Sequence, residues 1–439
     1  MMSYRVVLVV GWILAGAAAT GEEPSATDTL ARRRTPVVEA YERARDSVVN
    51  ISATEKVQRY GRDLFGGVFL FPPERSIGSG CVVHEDGYIA TNAHVVTAGA
   101  QLVAAFADGS EYEARIIGRD VERDLAVIKI DPPRPLVPIK LGRSDDLMIG
   151  EQTIAVGNPV GLQNTVTTGV ISALHRELQV GGQMVYRDVI QTDASINPGN
   201  SGGPLLNVLG ELIGINTAVR TDAQNIGFAI PVAQLRDMLP EILEPEKVKK
   251  VQVGLKVSVA EPPRVIEVRD GSPAAAAGIR LGDIVRAIDG HSVARGLDFY
   301  VYMLQRDAGD KVGLQLVRDE KPVETSVQLV EVPKPDGQRL ARELLGLQIQ
   351  DATGKLAQQL ALIGGRGVIV VGVEPGSAAE RADLRPGDII VYLGRYRIRD
   401  VDQVGLLLRE LRTGEPVDVT FWRIARRQIA EGEVRLYAQ

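Results

Sequence analysis

The sequence predicts a mainly β protein, with a β-barrel or β-sandwich domain in its first half and a smaller domain that occurs twice in its second half. Short runs rich in Val, Ile and Thr recur between Ser47 and Pro231, separated by turn signals such as Asp86-Gly87 and Asp108-Gly109. In the second half one motif returns at a fixed offset, which indicates duplicated domains. With 439 residues, the chain is long enough for three such cores.

The N-terminus predicts a secretory signal peptide over 1–19, followed by a flexible polar leader over 20–34. Arg5 precedes an apolar run of 14 residues, Val6 to Ala19, which ends in the small residues Ala17-Ala18-Ala19. A membrane span needs about 20 apolar residues, so this run is short for one. An uncleaved membrane anchor is the alternative interpretation. Both interpretations place the rest of the chain outside the cytoplasm.

The β domain is assigned to 35–243, with a helix near each end. Thr35-Pro36 is a capping residue followed by proline, which predicts a helix over Val37 to Arg45. Val232 to Leu243 has a helical pattern, and Glu244 to Lys247 contains the proline that predicts a linker. The roughly 185 residues from Ser47 to Pro231 are consistent with two six-stranded barrels. Predicted strands include Gln101 to Ala107, Thr165 to Leu174 and Glu211 to Val219.

The two smaller domains are assigned to 248–332, the first repeat, and 340–437, the second repeat. Gly271-Ser272-Pro273-Ala274-Ala275 in the first repeat is echoed 105 positions later by Gly376-Ser377-Ala378-Ala379 in the second. Gly and Asp at matching positions indicate duplication rather than coincidence. A Gly-Asp pair follows in both copies, at Gly282-Asp283 and Gly387-Asp388.

The composition excludes several kinds of partner and cofactor. A net charge of −6 argues against a nucleic acid bound through its phosphates. Cys81 is the only cysteine, so no intrachain disulfide can form. The four histidines are scattered without metal-ligand spacing, and no nucleotide-binding loop is visible. We therefore predict no metal and no cofactor.

Three polar residues of the β domain together predict covalent catalysis. Ser201 lies in the glycine-rich run Gly199 to Pro204, His94 lies in Thr91 to Val96, and Asp124 precedes an apolar strand. A serine nucleophile needs a base and preformed donors for the oxyanion, and the glycines let the Gly199 and Ser201 amides point into one small space. Singly, each residue would fit a turn, cap or strand end. In the order His, Asp, Ser they match the chymotrypsin-type triad.

The same segments give the chain a resemblance to the HtrA (DegP/DegQ-type) serine proteases. Further matching motifs are Gly78-Ser79-Gly80, Gly157-Asn158-Pro159 and Gly227-Phe228-Ala229-Ile230-Pro231. The resemblance implies a chymotrypsin-like double six-stranded β-barrel followed by two PDZ (α+β) domains. It also implies ATP-independent degradation of unfolded or C-terminally exposed polypeptides in the periplasm by a homotrimer or a larger homo-oligomer. In the family the PDZ domains capture substrate or activating peptides, so the resemblance implies the same here. A membrane is a partner only if the signal segment stays uncleaved.

The primary specificity pocket is predicted from positions near the nucleophile. Ser195, six residues before Ser201, stands at the base of this pocket and offers no carboxylate to a Lys or Arg side chain. The resemblance adds Asn216 and Gly227 as walls, and it implies cleavage after small aliphatic residues.

Each PDZ-like repeat contains a candidate loop for the carboxylate of a peptide C-terminus. These loops are centred on Gly254-Leu255 and Gly346-Leu347, and a basic residue lies four places before each glycine. The first loop departs from the family pattern, with Lys250-Val251 where Arg-Gly is usual. Helices at about Leu297 to Leu304 and Val401 to Leu411 would complete the two grooves.

Two segments and two other functions remain open at this point. The resemblance places a regulatory loop at Val57 to Arg75, and the second repeat has an insertion at Asp351 to Gly367. One alternative function is a catalytically silent or weak chaperone that binds through its PDZ domains. The other is a signalling protease with one regulator as its substrate.

Overall fold

The computed structural model describes residues 31, 33–54, 60–62, 68–70, 75–97, 99–158, 164–180, 184–197, 199–219, 225–352, 367–409, 411–425 and 428–439. The chain divides into two compact units, Met1–Val330 and Glu331–Gln439. The predicted signal peptide, most of the predicted leader, and most of the predicted regulatory loop and insertion lie outside the described residues.

The first β-barrel is closed and has six strands in the order β1-β4-β5-β8-β7-β6. Its hairpin turns contain Gly87 and Gly109, at φ values of +91° and +85°. Such left-handed angles favour glycine, so both predicted turns are confirmed. The strands of this half are β1 Val48–Thr54, β2 Tyr60–Arg62, β3 Val68–Leu70, β4 Arg75–His84, β5 Tyr88–Thr91, β6 Gln101–Phe106, β7 Glu111–Asp120 and β8 Leu125–Ile130. A separate two-stranded sheet joins β2 and β3.

The second β-barrel is also closed, with six strands in the order β10-β11-β14-β13-β12-β9. These strands are β9 Gln152–Gly157, β10 Thr165–Val180, β11 Met184–Thr192, β12 Pro204–Leu206, β13 Leu212–Val219 and β14 Gly227–Pro231. Strands β12 and β14 consist of apolar residues and glycine, and every one of these residues is buried, so both faces of each strand are covered. The predicted double six-stranded barrel is confirmed.

Helices flank the barrels where the sequence predicts them. In α1, Pro36–Ala44, the Thr35 hydroxyl accepts a hydrogen bond from the Val38 N–H at 3.4 Å, which caps the helix. A 3₁₀ turn follows over Arg45–Ser47. After the second barrel comes α2, Val232–Ile242. The predicted linker contains a one-turn helix instead, α3 Pro245–Val248, because proline is well suited to the first helical position.

The first repeat combines short strands with two helices. Its strands are β15 Val251–Gln252, β16 Leu255–Val257, β17 Val265–Val268, β18 Ile284–Ile288, β19 His291–Ser292, β20 Lys311–Arg318, β21 Lys321–Gln328 and β22 Val330–Glu331. Its helices are α4 Pro273–Ala276 and α5 Gly296–Met303. Strands β16 and β17 form a hairpin, and the main sheet has the order β19-β18-β20-β21.

The second repeat follows the same plan around a six-stranded sheet of order β23-β24-β25-β27-β28, with β26 paired to β25. Its strands are β23 Leu347–Asp351, β24 Val368–Val373, β25 Ile389–Leu393, β26 Tyr396–Arg397, β27 Pro416–Ala425 and β28 Gln428–Tyr437. Its helices are α6 Gly337–Leu340, a π-helical turn over Ala341–Leu345, α7 Ala378–Arg381 and α8 Val401–Leu408.

The duplication extends from the sequence motif to a buried ion pair. In the first repeat, the Arg318 guanidinium donates from Nε and Nη2 to the two oxygens of Asp283, at 2.7 Å each. In the second repeat, Arg423 and Asp388 form the same bidentate pair, again at 2.7 Å each. Burial raises the pKa of Asp283, but the hydrogen bonds from Arg318 and from the Arg280 N–H, together with the charges of both arginines, outweigh it and hold that pKa below its usual range.

Replacing Asp283 with asparagine should lower the free energy of unfolding by about 3 kcal/mol at pH 7, because Arg318 loses its counter-charge in a largely buried site. The folded-state pKa of Asp283 is lowered, so its contribution is present above the ordinary aspartate pKa and is lost as the pH falls below it. The deficit of the variant should therefore shrink in acid. Urea denaturation at neutral and acidic pH measures both effects. Asp418→Asn breaks the exposed pair with Arg435 and should leave the stability nearly unchanged.

Candidate active site

The predicted triad residues lie at loop positions of both barrels. His94 follows β5 and Asp124 immediately precedes β8, whereas Ser201 lies between β11 and β12. Thr217 of β13 contacts two of them: its hydroxyl donates to Asp124 Oδ2 at 2.7 Å, and its carbonyl oxygen accepts from Ser201 Oγ at 2.9 Å. The residues that the sequence places far apart therefore meet where the two barrels adjoin.

The imidazole of His94 is held by the Asp124 carboxylate. Its Nδ1 lies 3.0 Å from Oδ1 and 2.8 Å from Oδ2, and the main-chain N–H of His94 donates to Oδ1 at 3.0 Å. An ionised carboxylate can only accept, so Nδ1 carries the proton and Nε2 is left with its lone pair. The Asp124 side chain is 3% exposed and that of His94 is 47% exposed. The acid is therefore buried while the candidate base remains accessible.

Asp124 itself has an unusual backbone conformation, with φ at +53°. A left-handed angle is costly for a residue with a β-carbon and persists only where neighbouring contacts hold it. Here the Asp124 carbonyl accepts hydrogen bonds from the Ala93 N–H at 3.1 Å and from Asn92 Nδ2 at 3.0 Å. These bonds fix the loop that carries His94 against the loop that carries Asp124.

Thr217 and Tyr186 also lie beside Asp124, and the sequence did not identify either of them as a neighbour of that residue. Thr217 directly follows Asn216, which the sequence predicts only as part of the specificity pocket, and Tyr186 carried no signal. Tyr186 of β11 is 7% exposed; burial and then the Asp124 carboxylate raise its pKa to about 12. Tyr186 therefore keeps its phenolic proton at neutral pH.

Replacing Thr217 with valine should lower kcat/KM for peptide hydrolysis about 10- to 100-fold, because Asp124 loses a hydroxyl donor in a buried position. Thr217→Ser keeps that donor and should restore most of the activity. Initial rates on a peptide substrate across pH 6–9 measure this effect. Equal rates for the valine variant and the unmodified chain would show that the hydrogen bond is not needed to position Asp124.

The loop around Ser201 requires glycine at its neighbours. Gly202 has φ at +83°, and a β-carbon there would lie 2.2 Å from the Ser79 carbonyl oxygen and 2.3 Å from Thr91 Oγ1. A β-carbon on Gly203 would lie 2.4 Å from the Val156 carbonyl oxygen. No larger residue fits such contacts without moving main chain. The glycines of the motif therefore allow the loop to pack directly on both barrels.

Ser79 of β4 holds this loop from the other barrel. Its N–H donates to the Ser201 carbonyl at 2.7 Å, and its hydroxyl donates to the Gly199 carbonyl at 2.6 Å. The N–H groups of Gly199 and Ser201 donate to no other residue within the described ranges. Both predicted oxyanion donors are therefore without a competing acceptor among those residues.

The residues predicted to form the primary pocket differ in exposure. Ser195 is exposed, and its carbonyl accepts hydrogen bonds from Thr167 Oγ1 at 2.9 Å and Asn200 Nδ2 at 3.3 Å. Asn216 is fully buried, and its side-chain amide donates to the Pro204 carbonyl at 3.0 Å. A β-carbon on Gly227 would lie 2.6 Å from Ile196 Cγ1. Ile196 therefore adjoins Gly227 as a further apolar residue of this region.

The two candidate carboxylate-binding loops have the same geometry. Gly254 has φ at +76° and Gly346 has φ at +74°. A β-carbon on either glycine would lie 2.0 Å from the β-carbon of a serine, Ser272 in the first repeat and Ser377 in the second. Leu255 and Leu347 follow as the first residues of β16 and β23. The glycines are therefore required by packing, whether or not a ligand binds.

Other chemistries find little support in the part of the chain that the structure describes. Burial raises the pKa of the Cys81 thiol to about 12, so it remains protonated and is a poor nucleophile. The described residues contain no cluster of three or more His, Cys, Asp or Glu side chains placed to hold a metal ion. Among the same residues, no helix has the length and apolar character needed to span a membrane.

Sequence comparisons identify the three domains. The trypsin-like peptidase domain matches residues 78–215, and PDZ domains match residues 230–329 and 369–423. The probable periplasmic serine endoprotease DegP-like of Chlamydia trachomatis is 37% identical over 358 residues, which cover 77% of this chain and 71% of that protein. The protein of the same name from Halomonas elongata is 31% identical over 446 residues, which cover 90% of this chain and 92% of that protein.

A solved structure of the HtrA-type protease AlgW with tripeptide is 36% identical, covers 69% of this chain and 99% of that chain, and superimposes with a TM-score of 0.42. The family rests on the sequence relatives, whose similarity extends through the peptidase domain into the PDZ region. This chain is a serine endopeptidase and belongs to the HtrA family of DegP-like proteases.

Proposed function

We propose that the protein degrades unfolded polypeptides outside the cytoplasm, without ATP, through the triad Ser201, His94 and Asp124. The observation that carries this proposal is Thr217, which bonds to the candidate nucleophile through its carbonyl and to the candidate acid through its hydroxyl. The periplasmic names of the relatives support the location. The absence of a nucleotide-binding motif in the sequence supports independence from ATP.

In the proposed reaction the Ser201 hydroxyl first leaves the Thr217 carbonyl and turns toward His94 Nε2. As Ser201 Oγ attacks the substrate carbonyl carbon, Nε2 accepts the hydroxyl proton, and Asp124 stabilises the imidazolium that forms. The Gly199 and Ser201 N–H groups donate to the oxyanion. Collapse of this intermediate breaks the peptide bond, and His94 returns the proton to the leaving amine.

The second half of the reaction reuses the same groups. Water attacks the ester that joins the substrate acyl group to Ser201, and His94 takes a proton from that water. The ester bond then breaks, and the proton returns from His94 to Ser201 Oγ. The products are two shorter peptides and the free enzyme.

We further propose that the PDZ domains hold chain termini of the substrate or of activating peptides, and that the protein works as a homotrimer or a larger homo-oligomer. Tethering a polypeptide near the active site raises its local concentration there. Misfolded proteins expose both termini and apolar segments, so this arrangement suits a protease of broad substrate range. The proposed periplasmic location follows if the segment 1–19 directs export.

The proposal is tested by incubating the purified chain with reduced, carboxymethylated α-lactalbumin and with the native disulfide-bonded protein, both without ATP. Degradation of the unfolded form alone is expected. Cleavage of neither form, at concentrations where the protein is folded, would favour the silent PDZ-binding chaperone. Cleavage confined to one regulator protein would favour the signalling protease.

The cleavage products should show a preference for small aliphatic residues such as Val and Ala on the amino side of the broken bond. Ser195 offers no charge to a basic side chain, and Ile196 is an apolar neighbour of Gly227. Mass spectrometry of the peptides measures this preference. Dominant cuts after Lys or Arg would overturn the proposed pocket.

A further inference from the structure

The hairpin β16–β17 of the first PDZ domain leaves one edge of β16 without a partner strand among the described residues. The Gly254 carbonyl accepts from the Arg269 N–H at 2.8 Å, and the Ser258 N–H donates to the Arg264 carbonyl at 2.7 Å. These residues therefore face β17. Because main-chain groups alternate along a strand, those of Val257 face the opposite edge. A peptide that adds as a strand to a PDZ domain pairs with this edge.

A side chain of the same domain already occupies that edge at Val257. The hydroxyl of Tyr300, on α5, accepts a hydrogen bond from the Val257 N–H at 2.8 Å and donates one to the Val257 carbonyl at 2.8 Å. One residue of an added antiparallel strand would make the same two kinds of hydrogen bond, with its own C=O and N–H. The Tyr300 hydroxyl therefore reproduces the contacts of a ligand main chain.

The contact between Tyr300 and Val257 is fully buried. Tyr300 and Val257 are both 0% exposed. Burial raises the pKa of Tyr300, so its hydroxyl keeps the proton that it donates. A buried N–H and C=O without partners would each carry a desolvation cost, so removal of the tyrosine hydroxyl leaves both groups in need of a partner.

The second PDZ domain lacks this contact. Helices α5 and α8 correspond at the offset of 105 residues, so the counterpart of Tyr300 is Gly405. Ile349 of β23 corresponds to Val257, since both lie three residues after the loop glycine, and no hydroxyl among the described residues bonds to the Ile349 main chain. The occupied edge is thus a property of the first copy, which is also the copy whose loop has Lys250-Val251 in place of Arg-Gly.

We propose that Tyr300 closes the first PDZ domain to strand addition, and that this domain binds a polypeptide C-terminus only after the Tyr300 side chain leaves Val257. The inference rests on the proposed function, in which PDZ domains hold substrate termini. The apparent affinity for a peptide is then lower than that of the open domain, in proportion to the fraction of molecules in which the edge is open. Tyr300 is a regulatory side chain of the peptide site and takes no part in hydrolysis.

The test measures peptide binding to the full chain carrying Ser201→Ala, which prevents cleavage of the probe. The probes are fluorescein-labelled decapeptides that end in Val, Leu or Phe with a free carboxylate, together with the same peptides amidated at the C-terminus. Each carries a photo-cross-linking residue, so that mass spectrometry identifies the protein segment it contacts. Tyr300→Phe removes the hydroxyl and keeps the ring. Tyr302→Phe is the matched control on the same helix, because that hydroxyl bonds to Asp289 at 3.0 Å instead.

Tyr300→Phe should bind at least one free-carboxylate probe about tenfold more tightly than the parent chain or more, with new cross-links to residues 255–258. The amidated probe should not show this gain, and Tyr302→Phe should bind like the parent. The proposal is overturned if the parent chain already cross-links at 255–258 with the affinity of Tyr300→Phe. It is equally overturned if Tyr300→Phe and Tyr300→Ala both melt cooperatively and neither gains cross-links there.

A parallel digestion separates this inference from the proposed function. The same Tyr300 variants with Ser201 intact are incubated with carboxymethylated α-lactalbumin. Digestion that depends on Ser201, together with unchanged peptide binding, overturns only the role of Tyr300. Loss of the Ser201 dependence in the parent chain overturns the proposed protease mechanism, whatever the peptides do.

Discussion

Replacing Ser201 with alanine should lower kcat for peptide hydrolysis about 10⁶-fold, to the residual rate that substrate binding and the oxyanion donors can support. The alanine has no oxygen to attack the substrate carbonyl. In this active site Cys81 cannot substitute for it, because the thiol is buried and its pKa is raised to about 12. The expected change corresponds to about 8 kcal/mol of transition-state stabilisation.

The measurement is the steady-state hydrolysis of a quenched fluorescent peptide with Val before the cleaved bond. Ser195→Ala is the matched control, since it removes the hydroxyl of an exposed serine only six positions away and should retain activity within about tenfold. Circular dichroism checks that both variants are folded. A loss of only a few fold for Ser201→Ala would assign the nucleophile to another residue.

Asp124→Asn should lower kcat about 10⁴-fold at pH 7. Three donors point at the two carboxylate oxygens of Asp124: the His94 N–H, the His94 ring Nδ1–H and the Thr217 hydroxyl. Asparagine offers one oxygen and an NH₂ group. That NH₂ group would donate to Nδ1, so the ring proton would move to Nε2. Nε2 would then have no lone pair for the proton of Ser201.

The rate of Asp124→Asn is measured from pH 6 to pH 10 and compared with that of Asp120→Asn. Asp120 is the last residue of β7, just before the turn that contains Asp124. It pairs with Arg123 at 2.7 Å, and no hydrogen bond joins it to His94 among the described residues. Asp120→Asn should stay near the parent rate throughout. If Asp124→Asn retained a tenth of the parent activity at neutral pH, orientation of His94 by Asp124 would be refuted.

The sequence was sufficient for the elements whose signals are local. The turn dipeptides at Gly87 and Gly109 marked hairpins because left-handed backbone angles are readily adopted by glycine. The repeated Gly-Asp pair marked the duplication because the aspartate of each copy pairs with an equivalent arginine, Arg318 in the first and Arg423 in the second. The motif around Ser201 could be recognised because a β-carbon on Gly202 or Gly203 would lie 2.2 Å or 2.4 Å from a main-chain oxygen, too close for any residue but glycine.

Contacts across long stretches of chain were not predictable in the same way. Thr217 lies 93 positions from Asp124, in a strand where a threonine is an ordinary β residue. Tyr300 lies 43 positions from Val257. An aromatic residue on a helix predicts a side chain packed in the hydrophobic core, with no indication of its hydroxyl partner. In both cases the function depends on where one hydroxyl points, and the amino-acid pattern around it carries no information on that direction.

The hydrogen bonds of Ser79 make activity depend on both barrels being folded. Ser79 belongs to the first barrel, while the carbonyls of Gly199 and Ser201 that it contacts belong to the second. If either barrel opens, the loop that carries Ser201 loses these two hydrogen bonds to the first barrel. Partial unfolding of one barrel should therefore abolish peptide hydrolysis before the rest of the chain unfolds.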